Sequence, residues 1–253
     1  MSVTIKSGYN FKTVNPESVL FIDIETVPIY KDFDSLPEHF QPLWIDKSRK
    51  YSYENHPAED LYFEKAGIHA EFGKIVCISV GILKPNPDSK RMTLRIKSYY
   101  GHDEMVILSE FKTLLDSHYH DHQKNYMCGH NAIEFDFPYI ARRMMINYIA
   151  LPALLDVSGS KSWDNKWLLD TMELWRFGDY KEKTSLNLLA ACFGIPSPKD
   201  DISGKDVAKV YHLENDLERI MIYCQKDIVT LVRLFLRFSG QYTIEEEDVV
   251  YTS

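Results

Sequence analysis

The apolar run Val19-Leu20-Phe21-Ile22 leads directly into two acids, Asp23 and Glu25, and this junction constrains the fold more than any other stretch of the chain. Bounded by Asn15-Pro16 upstream and Pro28 downstream, the run reads as a buried strand. Side chains two apart on a strand share a face, so both carboxylates point the same way. Two ionised acids held that close repel each other and lose solvation, which is tolerated mainly when cations or basic groups compensate. A bound divalent ion is one remedy; a solvated strand end that happens to carry two acids accounts for the pair equally well.

Two distant stretches bear on that choice. Tyr126-Met127-Cys128 reads as a short strand running into Gly129-His130-Asn131, with Asp136 near the start of a helix expected over 135–147. Pro138 falls in its first turn, where a missing N–H costs nothing, and Ile140, Met144 and Met145 supply an apolar face. Taken singly, Asn131 reads as a turn or capping residue and Phe135 as core. Farther on, Leu217, Met221, Cys224, Ile228, Leu231 and Phe235 draw an apolar stripe along one helix. Tyr223 and Asp227, four apart on that helix, project side by side. Such a pair is usually solvated, and its weight comes from combination with the other two stretches.

Taken together, Asp23, Glu25, Asp136 and Asp227, with Tyr223 four before the last, resemble the DEDD superfamily of 3′-5′ exonucleases, in the subgroup whose third motif carries a tyrosine (DEDDy). They are similar in particular to the exonuclease domain of family B DNA polymerases and to stand-alone bacterial proteins described as predicted exonucleases related to it. Phe21 to Thr26 fits the first motif, Gly129-His130-Asn131 with Phe135-Asp136 and Pro138 the second, and Tyr223 with Asp227 the third. The resemblance spans about 18–239 and implies an α/β, RNase H-like fold: a mixed five- to six-stranded sheet with helices on both faces. It implies that Asp23, Glu25, Asp136 and Asp227 hold two divalent cations, with Asp23 bridging both, Glu25 and Asp227 completing one site, and Asp136 holding the other largely through water. Oxygen-rich ligation selects Mg²⁺ or Mn²⁺ over zinc, and no His/Cys cluster in the sequence competes for the role. In the family Tyr223 orients or helps deprotonate the attacking water; an unperturbed phenol pKa of about 10 favours orientation at neutral pH. Thr26, Asn131 and Phe135 match positions that lie against the terminal nucleotides. Asp170 stands where such relatives often carry an acid, and both a buried hydrogen-bonding role and a catalytic one stay open.

The implied reaction is hydrolysis at the 3′ end of single-stranded or frayed DNA, releasing nucleoside 5′-monophosphates. An exoribonuclease with the same site is the alternative, separated only by how the terminal pocket treats the 2′-hydroxyl; a catalytically idle nucleic-acid-binding or polymerase accessory module is another. A formal charge of −8 argues against tight, salt-resistant duplex binding but allows transient, metal-assisted engagement of a strand end. The segment 161–183 mixes Trp163, Trp167, Trp175, Phe177 and Tyr180 with lysines and Arg176, as a single-strand surface does, yet it holds as many acids, and tryptophans more often fill cores. Cys77, Cys128, Cys192 and Cys224 have no paired metal or redox spacing and read as free thiols of a reducing cytoplasm. No signal-peptide h-region opens the chain and no apolar run approaches membrane length. The expectation is a cytoplasmic protein with no membrane contact and a polymerase or repair partner in trans; oligomeric state is not legible.

In layout the chain reads as one exonuclease domain over 1–253, with a core at about 18–239 and a mobile, acidic C-terminal tail at about 240–253. Strands are expected at 18–24, 74–83, 93–100, 126–128 and just before Asp170; helices at 103–118, 135–147, 184–193, 204–211 and 214–238, with Ser203 and Asp206 opening the fourth as a capping box. The main departure from a polymerase exonuclease domain is a helical insertion at about 27–72. There Leu36, Phe40, Leu43 and Trp44 recur at helical spacing, followed by a second helical stretch from Pro57 to Ala70. It leaves the Glu25 end of the first strand, so it either walls the site or packs as an appendage on the sheet edge, and Lys65 and His69, four apart on its second helix, either face the scissile phosphate or form an ordinary surface pair.

Overall fold

The computed structural model describes residues 14–54, 57–87, 91–161, 164–196, 202–240 and 243–252. Its frame is a six-stranded mixed sheet in the order β5-β4-β1-β2-β3-β6. Strand β1 (Val19–Pro28) is central, and its near-continuous apolar sequence reflects burial on both faces. It pairs antiparallel with β2 (Gly73–Pro85) and parallel with β4 (Tyr126–Gly129); β3 (Met92–Tyr100) extends the antiparallel side, and β5 (Leu168–Asp170) the parallel one.

Strand alternation sorts the core into two layers. Leu20, Ile22 and Ile24, with Ile78 and Val80 of β2, meet helices α3 (Glu104–His118) and α4 (Asp136–Ile146). Val19 and Phe21, with Leu94 and Ile96 of β3, meet the long helix α8 (Leu217–Phe238) through Ile228, Val232 and Phe235. Gly81 lets α8 approach this closely: a Cβ there would stand 2.6 Å from Cγ2 of Ile228. On the other face a buried ion pair locks α4 to α3, with Arg143 Nη2 donating to Glu104 Oε2 at 2.5 Å. Glu104 also accepts from the Ile75 backbone N–H (2.7 Å) and Asn147 (2.9 Å), and Arg143 donates to the Ala70 carbonyl (2.8 Å). The register of α4, and of the Asp136 at its start, is thereby tied to β2 and to the end of the insertion.

The insertion has a small core of its own. Trp44 of α1 (Gln41–Ser48) is fully buried against Tyr62 of α2 (Ala58–Lys65), Phe72 and Leu36, and its indole N–H donates to the Ala58 carbonyl at 2.7 Å. The expected helix through Leu36 and Phe40 does not form. α1 begins only at Gln41, just ahead of Pro42, a residue suited to the first helical turn, and Leu43 is turned out to solvent.

Smaller helices complete the chain: α5 (Thr171–Arg176), α6 (Leu186–Cys192) and the single turn α7 (Val207–Lys209), which widens into a π-helical turn at Val210–Glu214. Asp206 accepts from the Ser203 N–H (2.9 Å) and hydroxyl (2.7 Å), but it does so within a turn that precedes α7, so the helical segment expected over 204–211 begins three residues later and continues through the π-helical turn to Glu214. Met145, assigned to the apolar face of α4, is 64% exposed, whereas Ile140 and Met144 are buried as expected. The largest correction concerns the tail. Val249–Thr252 form a sixth strand, β6, parallel to β3, instead of a mobile segment. The acids that suggested disorder are neutralised in place: Glu247 and Asp248 meet Arg91, and Glu246 meets Arg233, whose Nε also donates to the Ile244 carbonyl at 2.9 Å.

Candidate functional site

Three elements, β1, α4 and α8, deliver the acids to one place. Asp23 and Glu25 stand opposite Ser79 and Cys77 in the β1/β2 ladder, just before a register slip between Glu25 and Thr26 that bends the strand end. Asp136 opens α4, and its Oδ1 accepts the backbone N–H of Ile24, between the two β1 acids, at 3.2 Å. Tyr223 and Asp227 come from one face of α8 and are hydrogen-bonded to each other. Glu25 and Asp136 are 8% and 5% exposed; Asp23, Tyr223 and Asp227 keep partial openings to solvent.

The electrostatics record how near these groups are. Burial, then the charges of Asp227 and Asp136, push Asp23 well above the usual carboxylate range; only the Cys224 thiol, hydrogen-bonded to it, opposes them. Burial, then Asp23 and Asp227, raise Glu25 in the same way. Asp136 is raised to about 7, by burial first and then by Asp170, against the lowering effect of its own and Ile24's backbone N–H. The Tyr223 phenol is raised above its ordinary value, first by burial and then by Asp227. No basic side chain stands among the main influences on Asp23 or Glu25. Buried, mutually repelling carboxylates such as Asp23 and Glu25, with no basic group among the main influences on them, are a donor set that fits divalent metal ions.

The tightest possible ligand set includes a residue that the sequence placed only in an apolar stripe. Cys224 Sγ lies 3.2 Å from Asp23 Oδ2, and the ligand atoms of Asp23, Glu25 and Cys224 all fall within 4.8 Å of one another. The expectation concerned a His/Cys cluster, and what the structure adds is a single thiol among the carboxylates.

The loop after β4 is shaped by its glycine and its asparagine. A Cβ on Gly129 would come within 2.4 Å of Ala132 Cβ, so Gly129 alone lets the chain turn there. Asn131 adopts the left-handed region (φ 62°), one that Asn tolerates better than most residues, and its Oδ1 is buried without a hydrogen-bond partner among the described residues. Asp170 accepts the backbone N–H groups of Asn131 (2.9 Å), Ile133 (3.0 Å) and Met172 (2.8 Å), capping α5 and holding the loop. His130 does similar work, joining Thr171 and the Thr184 carbonyl at 2.8 Å each.

A cleft of about 650 Å³ opens beside the acids. Glu25, Thr26, Tyr223 and Phe135 reach it from the core, and Phe63, Lys65 and Ile68 from the insertion. Thr26 and Phe135 therefore line the cleft, and Asn131 is not among the residues lining it. His69 is turned away, bonded to Tyr51 at 2.8 Å and held at a pKa of about 4 by burial and nearby lysines. Most of the aromatic stretch is structural: Trp167 donates to the Leu154 carbonyl, Trp175 stacks on Phe238, and Arg176 is buried against Glu134 and Glu173. Phe177 and Tyr180 do stand in solvent, 76% and 79% exposed; Trp163 lies outside the described residues.

A sequence profile described as predicted 3′-5′ exonuclease related to the exonuclease domain of PolB matches residues 68–250. The chain belongs to this family. The match to the PolB-related exonucleases takes in Asn131, Asp136, Tyr223 and Asp227 and begins after Asp23, Glu25 and nearly all of the insertion. In three dimensions the chain is similar to the family B DNA polymerase of the hyperthermophilic archaeon Pyrobaculum calidifontis, with a TM-score of 0.53 and 16% identity over 88% of this chain. It spans only 24% of that polymerase's length, and at this identity the likeness speaks to the shared exonuclease-domain fold. No curated protein sequence matches the chain. Among the described residues, no helix is long and apolar enough to cross a membrane.

Proposed function

We propose that this member of the PolB-related exonucleases is a metal-dependent enzyme that removes nucleoside 5′-monophosphates from the 3′ end of single-stranded or frayed DNA. The observation that carries the reading is the convergence of Asp23, Glu25, Asp136 and Asp227, each raised or crowded by the others, beside a cleft that Tyr223 also lines. Asp23, Glu25 and Asp227 would hold one divalent ion, and Asp23 with Asp136 a second, Mg²⁺ or Mn²⁺ by the oxygen-rich donor set. When bound, such a pair supplies an activated water, a shielded non-bridging oxygen and a stabilised leaving alkoxide.

The protein's own groups do the rest. Tyr223, its phenol raised above the ordinary value, stays protonated at neutral pH; its one O–H proton goes to Asp227, which fixes the hydroxyl, and the phenol oxygen is left to accept from a water and orient it. Phe135 offers an aromatic face to a terminal base, and Thr26 lies beside Glu25 on the same wall. The cleft's volume suits a nucleotide or two, in the range of small-ligand sites, and so favours a single strand over a duplex.

End-labelled DNA, RNA and 3′-blocked strands incubated with Mg²⁺, Mn²⁺ or EDTA test the proposal. Laddering from the 3′ end that requires metal and is lost in Asp227→Ala is the expected result, with DNA shortened faster than RNA. A wild-type protein that binds every strand and shortens none would show an idle binding module instead.

A further inference from the structure

A second hollow lies on the opposite face of the sheet from Asp23. Strand pairing sets Val80 opposite Lys97 and Ile82 opposite Arg95, and alternation along β2 and β3 turns these residues away from α8, toward the face that α3 covers only in part. Where α3 ends, the uncovered sheet and the helix terminus enclose about 560 Å³. The wall carries Lys84, Arg95, Lys97 and His118, and Glu17 is the one acid side chain among the described residues that line it, in a chain whose formal charge is −8. Among the described residues neither Lys84 nor Arg95 forms an ion pair, and Lys97 holds its ammonium over the Tyr99 ring, 5.4 Å from the centroid. The floor is apolar and aromatic, built from Leu20, Ile82, Tyr99 and Tyr119. No residue is shared with the cleft beside Glu25.

Cations gathered at the rim of an apolar, aromatic hollow match a ligand that joins negative charge to a flat ring. We propose that this hollow is a second nucleotide-binding site, taking a phosphate-and-base unit with Lys84 and Arg95 on the phosphate and the Ile82/Tyr99 floor under the base. Arg95 can address two phosphate oxygens with its planar fork, and a base finds an apolar surface whatever its identity, so the site holds nucleotides without reading sequence. A polynucleotide strand and a free mononucleotide share this chemistry. The assignment does not depend on turnover at the carboxylates, since it follows from residues of the other face.

Anisotropy of labelled oligothymidylate with the full chain in EDTA reads binding without hydrolysis, and calorimetry with a nucleoside 5′-monophosphate reads the free ligand. Lys84→Glu and Arg95→Glu should each weaken strand binding roughly tenfold and flatten its salt dependence. Arg49→Glu, the same change of charge on the insertion, should leave both at wild-type values, and Arg95→Gln should retain the fold with an intermediate loss. Monophosphate binding lost in the same variants identifies free nucleotide as an occupant; loss confined to the oligonucleotide identifies the strand. Affinities for both ligands that respond to Lys84→Glu and Arg95→Glu no more than to Arg49→Glu overturn the proposal.

Discussion

Asp170 and Tyr223 make opposite predictions although both stand beside the acid cluster. Asp170 satisfies three backbone N–H groups from two segments and starts α5, so Asp170→Ala leaves buried donors unmet. The variant should lose more than about 3 kcal/mol of stability, read as a fall in the urea midpoint, and Asp170→Asn, which keeps one acceptor oxygen, should lose less; equal stability of the alanine variant and wild type would show that Asp170 does not hold the loop. Tyr223→Phe keeps the ring and removes only the hydroxyl bonded to Asp227. It should slow turnover roughly 10- to 100-fold, the usual effect of removing a partner that orients a metal ligand, while Mn²⁺ affinity by calorimetry stays near wild type; a large loss of metal affinity would mean that the phenol holds the site together. Residue by residue, the acids were legible because spacings of two on a strand and four on a helix fix a shared face before any tertiary contact is known. Cys224 was not, since its thiol meets Asp23 only through the angle at which α8 crosses β1, and Asp170's partners lie some forty residues upstream in another segment.

Strand β6 shows how an element escapes a reading by composition. Val249-Val250-Tyr251-Thr252 is short but made of strand-favouring residues, and the acidic run ahead of it outweighed that signal by suggesting a solvated tail; pairing with β3 and the Arg91 and Arg233 contacts are long-range facts that no local pattern contains. Truncation after Gly240 removes that strand and exposes the β3 edge, a template for pairing between molecules. The truncated chain should unfold at a lower urea concentration and aggregate at concentrations where the full chain stays dispersed in light scattering; unchanged behaviour in both would make β6 an ornament. The insertion was half legible. Its existence followed from the length of the β1–β2 connection and its apolar spacing, but the spacing of Leu36, Phe40 and Trp44 misled, because a bend-rich loop can also bring such side chains into one small core. The long elements β1, β2, β3, α3, α4 and α8 ended within a few residues of where periodicity and capping residues placed them, as their single buried stripe or face requires.

At the scale of the whole molecule, the acid cluster should set how stability depends on pH and metal together. Burial and mutual repulsion raise Asp23, Glu25 and Asp136, the last to about 7, so the folded state holds protons that the unfolded chain has already released. For raised acids of this kind, stability falls as pH rises from the unfolded value of about 4 through the folded one. His69 acts in the other direction: lowered to about 4, it contributes a loss as pH drops below its unfolded value of about 6.5. His130 and His212, also lowered by burial, act as His69 does, but from pH 6.5 upward the three together contribute only about 1 kcal/mol as the unfolded imidazoles lose their last protons, less than the three raised acids. With EDTA present, the melting temperature should therefore decline from pH 6.5 to pH 8, by an amount reflecting a few kcal/mol at most. Mg²⁺ or Mn²⁺ should raise it at both values and more at pH 8, where fewer protons compete for the carboxylates. Scans at the two pH values with and without metal test this. A melting temperature in EDTA that rises across the window, or a metal shift that is larger at pH 6.5, would mean that these carboxylates are neither crowded nor the ligands, whatever other groups the cation finds.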